Sequence, residues 1–103
     1  MEKFEDYLTE ELNSEENIRA FIDAALEHYF VDHDRELFLA ALKEVIKAKG
    51  GVSKISKEAN INRQHIYRML SSKGNPSFDN IGSILNALGL KLRVEREMSK
   101  LAS

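Results

Sequence analysis

Cysteine and tryptophan are absent from the 103 residues, and proline occurs once. Without cysteine there is no disulfide framework and no thiolate metal site. The longest apolar run is Leu37–Leu42, far short of the about 20 residues that a membrane-spanning helix needs. The opening residues, MEKFEDYLTEE, are acidic where a secretory signal would be basic and then apolar. These absences lead us to expect a soluble, cytoplasmic chain with no membrane association and one modest core.

What is present is a strong charge polarity hidden under a net charge of −2. Residues 1–42 carry twelve Asp/Glu against three Lys/Arg, a net −9. Residues 43–73 carry eight Lys/Arg against two Glu, a net +6, and the remainder is near neutral at +1. A basic block of this kind suits phosphate contact, whereas an acidic front suits water or a basic partner.

Helical periodicity accounts for most of the chain. Phe4, Tyr7, Leu8 and Leu12 are spaced for a short amphipathic helix. Asn13 and Ser14 offer caps for a second helix, whose apolar face comprises Ile18, Phe21, Ile22, Ala25, Leu26, Tyr29 and Phe30. The segment Val31–Asp34 ends it and caps the next. That third helix, about Arg35 to Lys49, is expected to bury Leu37, Phe38, Ala41, Leu42, Val45 and Ile46, with Gly50-Gly51 as its stop.

Two short helices follow within Val52–Leu70, VSKISKEANINRQHIYRML. Ser53 is expected to cap the first, whose inward face is Ile55 and Ala59. Ile61 falls in the turn, and Ile66 and Met69 line one face of the second. Between those inward positions lie side chains suited to phosphates and base edges. This is the pattern of a helix-turn-helix. After the loop SSKGNPS, a last helix capped by Ser77 and closed by Gly89 turns Ile81, Ile84, Leu85 and Leu88 inward. Leu90, Leu92 and Val94 then alternate with charged residues, the period of a β-strand. One strand cannot satisfy its own backbone, so this segment is expected to pair with its twin in a homodimer.

The run from Leu37 to Glu95, with its GNPSFDNI loop and ALGLKL ending, resembles the addiction-module antidote proteins, HigA-like antitoxins with a lambda-repressor-like helix-turn-helix. The AALEHYF helix and DHDRELF junction resemble that family's N-terminal extension, so the likeness covers roughly Phe4 to Glu95. It departs from the pattern at two positions. The turn residue that is usually glycine is Asn60, the next best residue for a left-handed conformation. The small residue early in the first helix is Ser56 rather than alanine. The resemblance implies a partner, a small basic ribonuclease toxin of the RelE/HigB type, and repression of the chain's own operon.

Candidate site residues divide by chemistry. Asn62 can cap the second helix of the motif and point free backbone N–H groups at a phosphate. With Arg63, Gln64 and Arg68 it forms the expected base-reading set, since Arg matches guanine and Gln matches adenine in two-bond geometry. Ser53, Lys54, Tyr67, Ser72, Lys73 and Asn75 are expected on the DNA backbone, where they position without reading. Tyr67 serves equally well packed on the preceding helix, and His65 is more at home as a surface residue. For the lysines, a solvated face explains their placement nearly as well.

Chemistry of other kinds finds little support. His28, Asp32, His33 and Asp34 cluster, but the two His stand at i and i+5 across a helix break rather than at i and i+4. Adjacent glutamates diverge along a helix instead of sharing a proton, and no activated nucleophile or glycine-rich phosphate cradle is present. No catalytic residue, metal or cofactor is expected.

The expectation is therefore an all-α fold, a lambda-repressor-like helix-turn-helix domain with an N-terminal helical extension and a short C-terminal β-strand. The acidic extension spans 1–33, the DNA-binding domain 34–96 and a tail 97–103. Its expected function is that of a type II antitoxin acting on a palindromic operator. The alternatives are a stand-alone, phage-type repressor and a protein-interaction module that no longer binds DNA.

Overall fold

The computed structural model describes residues 12–97, so the Phe4/Tyr7/Leu8 stripe and the last six residues lie outside the described residues. Among the described residues the chain is all-helical: α1 (Glu15–Asp32), α2 (Arg35–Ala48), α3 (Val52–Ala59), α4 (Arg63–Met69) and α5 (Phe78–Ala87).

Each boundary has a chemical cause. The Ser14 hydroxyl accepts from the Asn17 N–H at 3.1 Å, and Glu15 and Glu16 sit in the first turn, where carboxylates favour the helix dipole. His33 ends α1 in a left-handed conformation (φ 57°), its N–H bonded to the Tyr29 carbonyl. Asp34 starts α2 by accepting from the Leu37 N–H at 3.1 Å. Only His33 and Asp34 separate the two helices, and α1 packs along α2.

At the far end of α2, Gly50 and Gly51 both have positive φ, 113° and 92°. The Gly51 N–H reaches the Ile46 carbonyl at 2.8 Å, the six-to-one bond of a Schellman ending. Gly51 also occupies the N-cap of α3, with no side-chain cap there. Ser53 therefore lies one residue inside the helix and caps nothing, because the two glycines have already set the chain's direction. The end of α5 repeats the glycine device, with Gly89 at φ 82° and the Leu90 N–H on the Leu85 carbonyl.

One apolar cluster joins all five helices. It is built from Ile18 and Ile22 of α1, Leu42, Val45 and Ile46 of α2, Ile55 of α3, Ile66 and Met69 of α4, and Ile84 and Leu85 of α5. Leu12 is buried with them.

The inward faces differ from expectation at two places. Leu39 is buried at 1% exposure, while Leu37 is 41% exposed. The run LFLAAL is apolar on every side, so periodicity alone could not choose its inner face. Phe30 is 72% exposed, because the helical period sets it at the edge of the stripe whose centre holds Ile18, Ile22 and Ala25. Ile81 is half-buried and packs against the core as expected, like Phe21, Leu26 and Ala59.

The expected C-terminal strand is not formed. Residues 91–97 have no strand pairing and are exposed, Leu92 and Val94 among them. Alternation is only a pattern of side chains, and among the described residues of this one chain no strand offers the backbone partner that pairing requires. Leu90 instead packs, half-buried, against the helical core.

Candidate nucleic-acid interface

The joint between α3 and α4 is three residues long, Asn60-Ile61-Asn62. Asn60 adopts the left-handed conformation (φ 57°, ψ 45°) expected of the position usually held by glycine. Its N–H and that of Ile61 both bond to the Ser56 carbonyl, and the Ser56 hydroxyl donates to the Ile61 carbonyl. Ser56 is thus a strut across the turn as well as a small residue. Ile61 half-buries against the core and fixes the turn from beneath.

Asn62 caps α4 with one oxygen, which accepts from the Gln64 N–H at 2.8 Å and the His65 N–H at 3.3 Å. Those two amides are consequently not free for a phosphate, contrary to the expectation for Asn62. The carboxamide nitrogen of Asn62 keeps its donors, and the residue is exposed.

Burial of Ile66 and Met69 turns the opposite face of α4 outward. Arg63, Gln64, Tyr67 and Arg68 are all exposed on it, Tyr67 at 59%. Tyr67 therefore stands in solvent rather than packed on the preceding helix.

Both arginines are braced. The Arg63 guanidinium donates to the Ser53 hydroxyl of α3 at 2.8 Å. One of its five donors is engaged, and the others remain available. Arg68 places a guanidinium nitrogen 3.1 Å from Nδ1 of His65, and the Asn80 amide of α5 lies 3.1 Å from Nε2 of the same ring. Arginine can only donate, so Nδ1 accepts. A neutral ring then carries its hydrogen on Nε2, which is satisfied when the Asn80 amide turns its oxygen to it. His65 is half-buried and links α4 to α5. It is the bracing residue that sequence reasoning left on the surface. Its i+3 relation to Arg68 was visible, but no pattern ties it to Asn80, fifteen residues on.

The remaining candidates lie on the loop after α4 and on α3. Gly74 is buried, and a Cβ there would stand 2.0 Å from the Met69 carbonyl oxygen, so only glycine lets the loop press this closely on the helix end. The Gly74 N–H bonds to the Ser71 carbonyl, and the Ser71 hydroxyl donates to the Arg68 carbonyl. The turn so made presents Ser72, Lys73 and Asn75 to solvent just beyond α4. Lys54, exposed on α3, lies along the Gly50 stop. None of Lys54, Arg63, Arg68 and Lys73 is paired with a carboxylate among the described residues; both ion pairs found there, Arg19–Glu16 and His28–Asp32, belong to α1.

The structure thus brings the four expected base readers and six expected backbone residues to exposed positions on α3, α4 and the loop that follows. The strand residues Leu90, Leu92 and Val94 belong to a different segment, after α5. His28 is paired with Asp32 at 2.9 Å, and Asp34 is used as a cap. Among the described residues no three His, Asp or Glu gather as a metal site would require, and no helix is long and apolar enough to cross a membrane.

Comparison with known proteins gives two findings. Residues 1–96 match the model of a family described as probable addiction module antidote protein. A protein of Haemophilus influenzae (strain Rd), described only as uncharacterized, is 32% identical over 96 residues, covering 92% of this chain and 94% of its own. No solved structure gives a significant match.

Proposed function

This chain belongs to the probable addiction module antidote proteins, and on that premise we propose that it is a DNA-binding antitoxin of a type II module. In this reading α3, the Asn60 turn and α4 act as a helix-turn-helix of the lambda-repressor kind. Arg63, Gln64 and Arg68 read base edges from α4, joined by the free amide of Asn62. Ser53, Lys54, Tyr67, Ser72, Lys73 and Asn75 hold phosphates. The chain represses its own operon in the cytoplasm as a homodimer on a palindrome, with two α4 helices about 34–36 Å apart in successive major grooves. It also neutralises a small basic ribonuclease toxin of the RelE/HigB type.

The observation that supports the DNA reading best is the pair of braced arginines on the outward face of α4, with no carboxylate to neutralise them. A merely solvated helix face has no need of such supports, one from Ser53 of α3 and one from His65 of α4, itself held by Asn80 of α5. Reading bases does, because an arginine already held in place loses less side-chain freedom on binding.

Retardation of the DNA upstream of its own gene tests this reading. Arg63→Ala should lose discrimination at one or two base pairs, at about 1–3 kcal/mol each. Lys73→Ala should weaken all sequences alike and reduce the salt slope by about one. Unchanged sequence preference in Arg63→Ala would show that this register of α4 in the groove is wrong. Retardation of no DNA by the unsubstituted chain would reject the DNA-binding reading outright.

A further inference from the structure

The corner where α1 meets α2 is built differently from the rest of the surface. Phe30 and Val31 are 72% and 76% exposed in the last turn of α1, and Leu37 is 41% exposed in the first turn of α2. The two-residue link brings them to one end of the molecule. Tyr29 sets its ring edge-on to both Phe30 and His33, with centroids 5.5 and 5.6 Å away, so the three rings form one aromatic surface. Beside Leu37 lies an open depression lined by Asp34, Glu36, Ala40, Lys43, Leu70 and Ser72, so that it reaches the loop after α4.

Charge decides what fits there. Residues 27–37 hold four carboxylates and one arginine. The C-terminal turn of a helix is the negative end of its dipole and favours Lys or Arg, yet α1 has no basic residue there and ends in Asp32. Among the described residues, only His28 pairs with that carboxylate. The corner therefore combines exposed apolar area with a negative potential that Arg35 and Lys43 offset only in part, and each is relieved by a cationic surface that carries an apolar anchor. DNA would be repelled, and a second copy would bring the same carboxylates to face each other.

We propose that the Phe30–Val31–Leu37 corner, rimmed by Glu27, Asp32, Asp34 and Glu36, is the docking surface for a basic protein partner. This rests on the antitoxin reading, the partner being the toxin. Phe30 and Val31 supply the desolvated anchors and the carboxylates supply orientation and encounter rate.

The test uses the full chain co-expressed with the product of the reading frame adjacent to its gene. The double variant Phe30→Ala/Val31→Ala should weaken the complex about tenfold or more. Glu27→Gln/Glu36→Gln should weaken it less and flatten its salt dependence. Both should retain operator retardation and the melting temperature of the unsubstituted chain, since the altered side chains are exposed. A complex that survives the apolar double variant within twofold overturns the surface while leaving the antitoxin reading intact. Absence of any complex with the unsubstituted chain overturns both. Conversion of a dimer to a monomer by the same variant would assign the corner to a second copy. A melting temperature several degrees lower would show that the chain itself already covers it.

Discussion

The α3–α4 joint and the α1–α2 corner each contain the only kind of non-glycine left-handed residue found among the described residues, Asn60 in one and His33 in the other. Beyond that they are opposites. At the joint the apolar side chains Ile55, Ile66 and Met69 are buried, and the outward arginines are braced by Ser53 and by His65 with Asn80. At the corner Phe30 and Val31 face solvent among carboxylates. One surface holds ions at fixed points, as recognition of a polyanion with a regular repeat requires. The other holds apolar area that gains by losing water. A single chain of 103 residues thereby carries two chemically different surfaces, which adjoin at the depression that Glu36 and Ser72 both line.

The comparison can be broken at several depths. The largest effects are expected in the shared core. Ile22→Ala in α1 and Ile66→Ala in α4, both buried, should each cost about 2–5 kcal/mol in denaturant unfolding. Because one apolar cluster joins these helices, each variant should show a single cooperative transition. Two separate transitions in Ile22→Ala would mean that the acidic and basic halves are independent units. A smaller effect is expected from His65→Ala, which removes the support of Arg68. Stability should fall by about 1 kcal/mol and operator affinity about fivefold, while toxin binding is unchanged. Equal losses for both ligands would show that the two surfaces are coupled. The smallest effects are expected at the two left-handed residues, His33 and Asn60, a conformation that costs an L-residue about 1–2 kcal/mol. His33→Gly should raise the unfolding free energy by about 1 kcal/mol or less, offset in part by the unfolded chain's added freedom. Asn60→Gly should change it less, since asparagine tolerates this conformation better. A larger gain at Asn60 than at His33 would reverse that ranking.

Legibility in the sequence followed the kind of information each feature requires. Helix ends were readable because their signals are local: Ser14, Asp34, Gly50-Gly51, Asn60, Ser77 and Gly89 each act within a few residues of themselves. The outward face of α4 was readable too, since the 3.6-residue period separates Arg63, Gln64 and Arg68 from Ile66 and Met69. Where several faces are apolar the period says little, which is how Leu37 and Leu39 came to exchange roles. Phe30 was placed inside because it continues the α1 stripe, but it falls at the edge of that stripe rather than at its centre. The residues that brace the site were illegible for a different reason. Ser53 to Arg63 and His65 to Asn80 are contacts across helices, set by how the helices pack rather than by any spacing along the chain. The alternating ending shows the same limit, since a strand exists only with a partner.

The braces have a consequence for how binding preference can be transplanted. Replacing the outward residues of α4 with those of a relative would move the side chains without their footings, because Ser53 belongs to α3 and Asn80 to α5. An arginine placed at 63 over a residue other than serine, or at 68 without the histidine–asparagine pair, would arrive at the groove loose. The inheritable module of recognition is thus larger than one helix: a patch of five side chains drawn from three helices, which must change together.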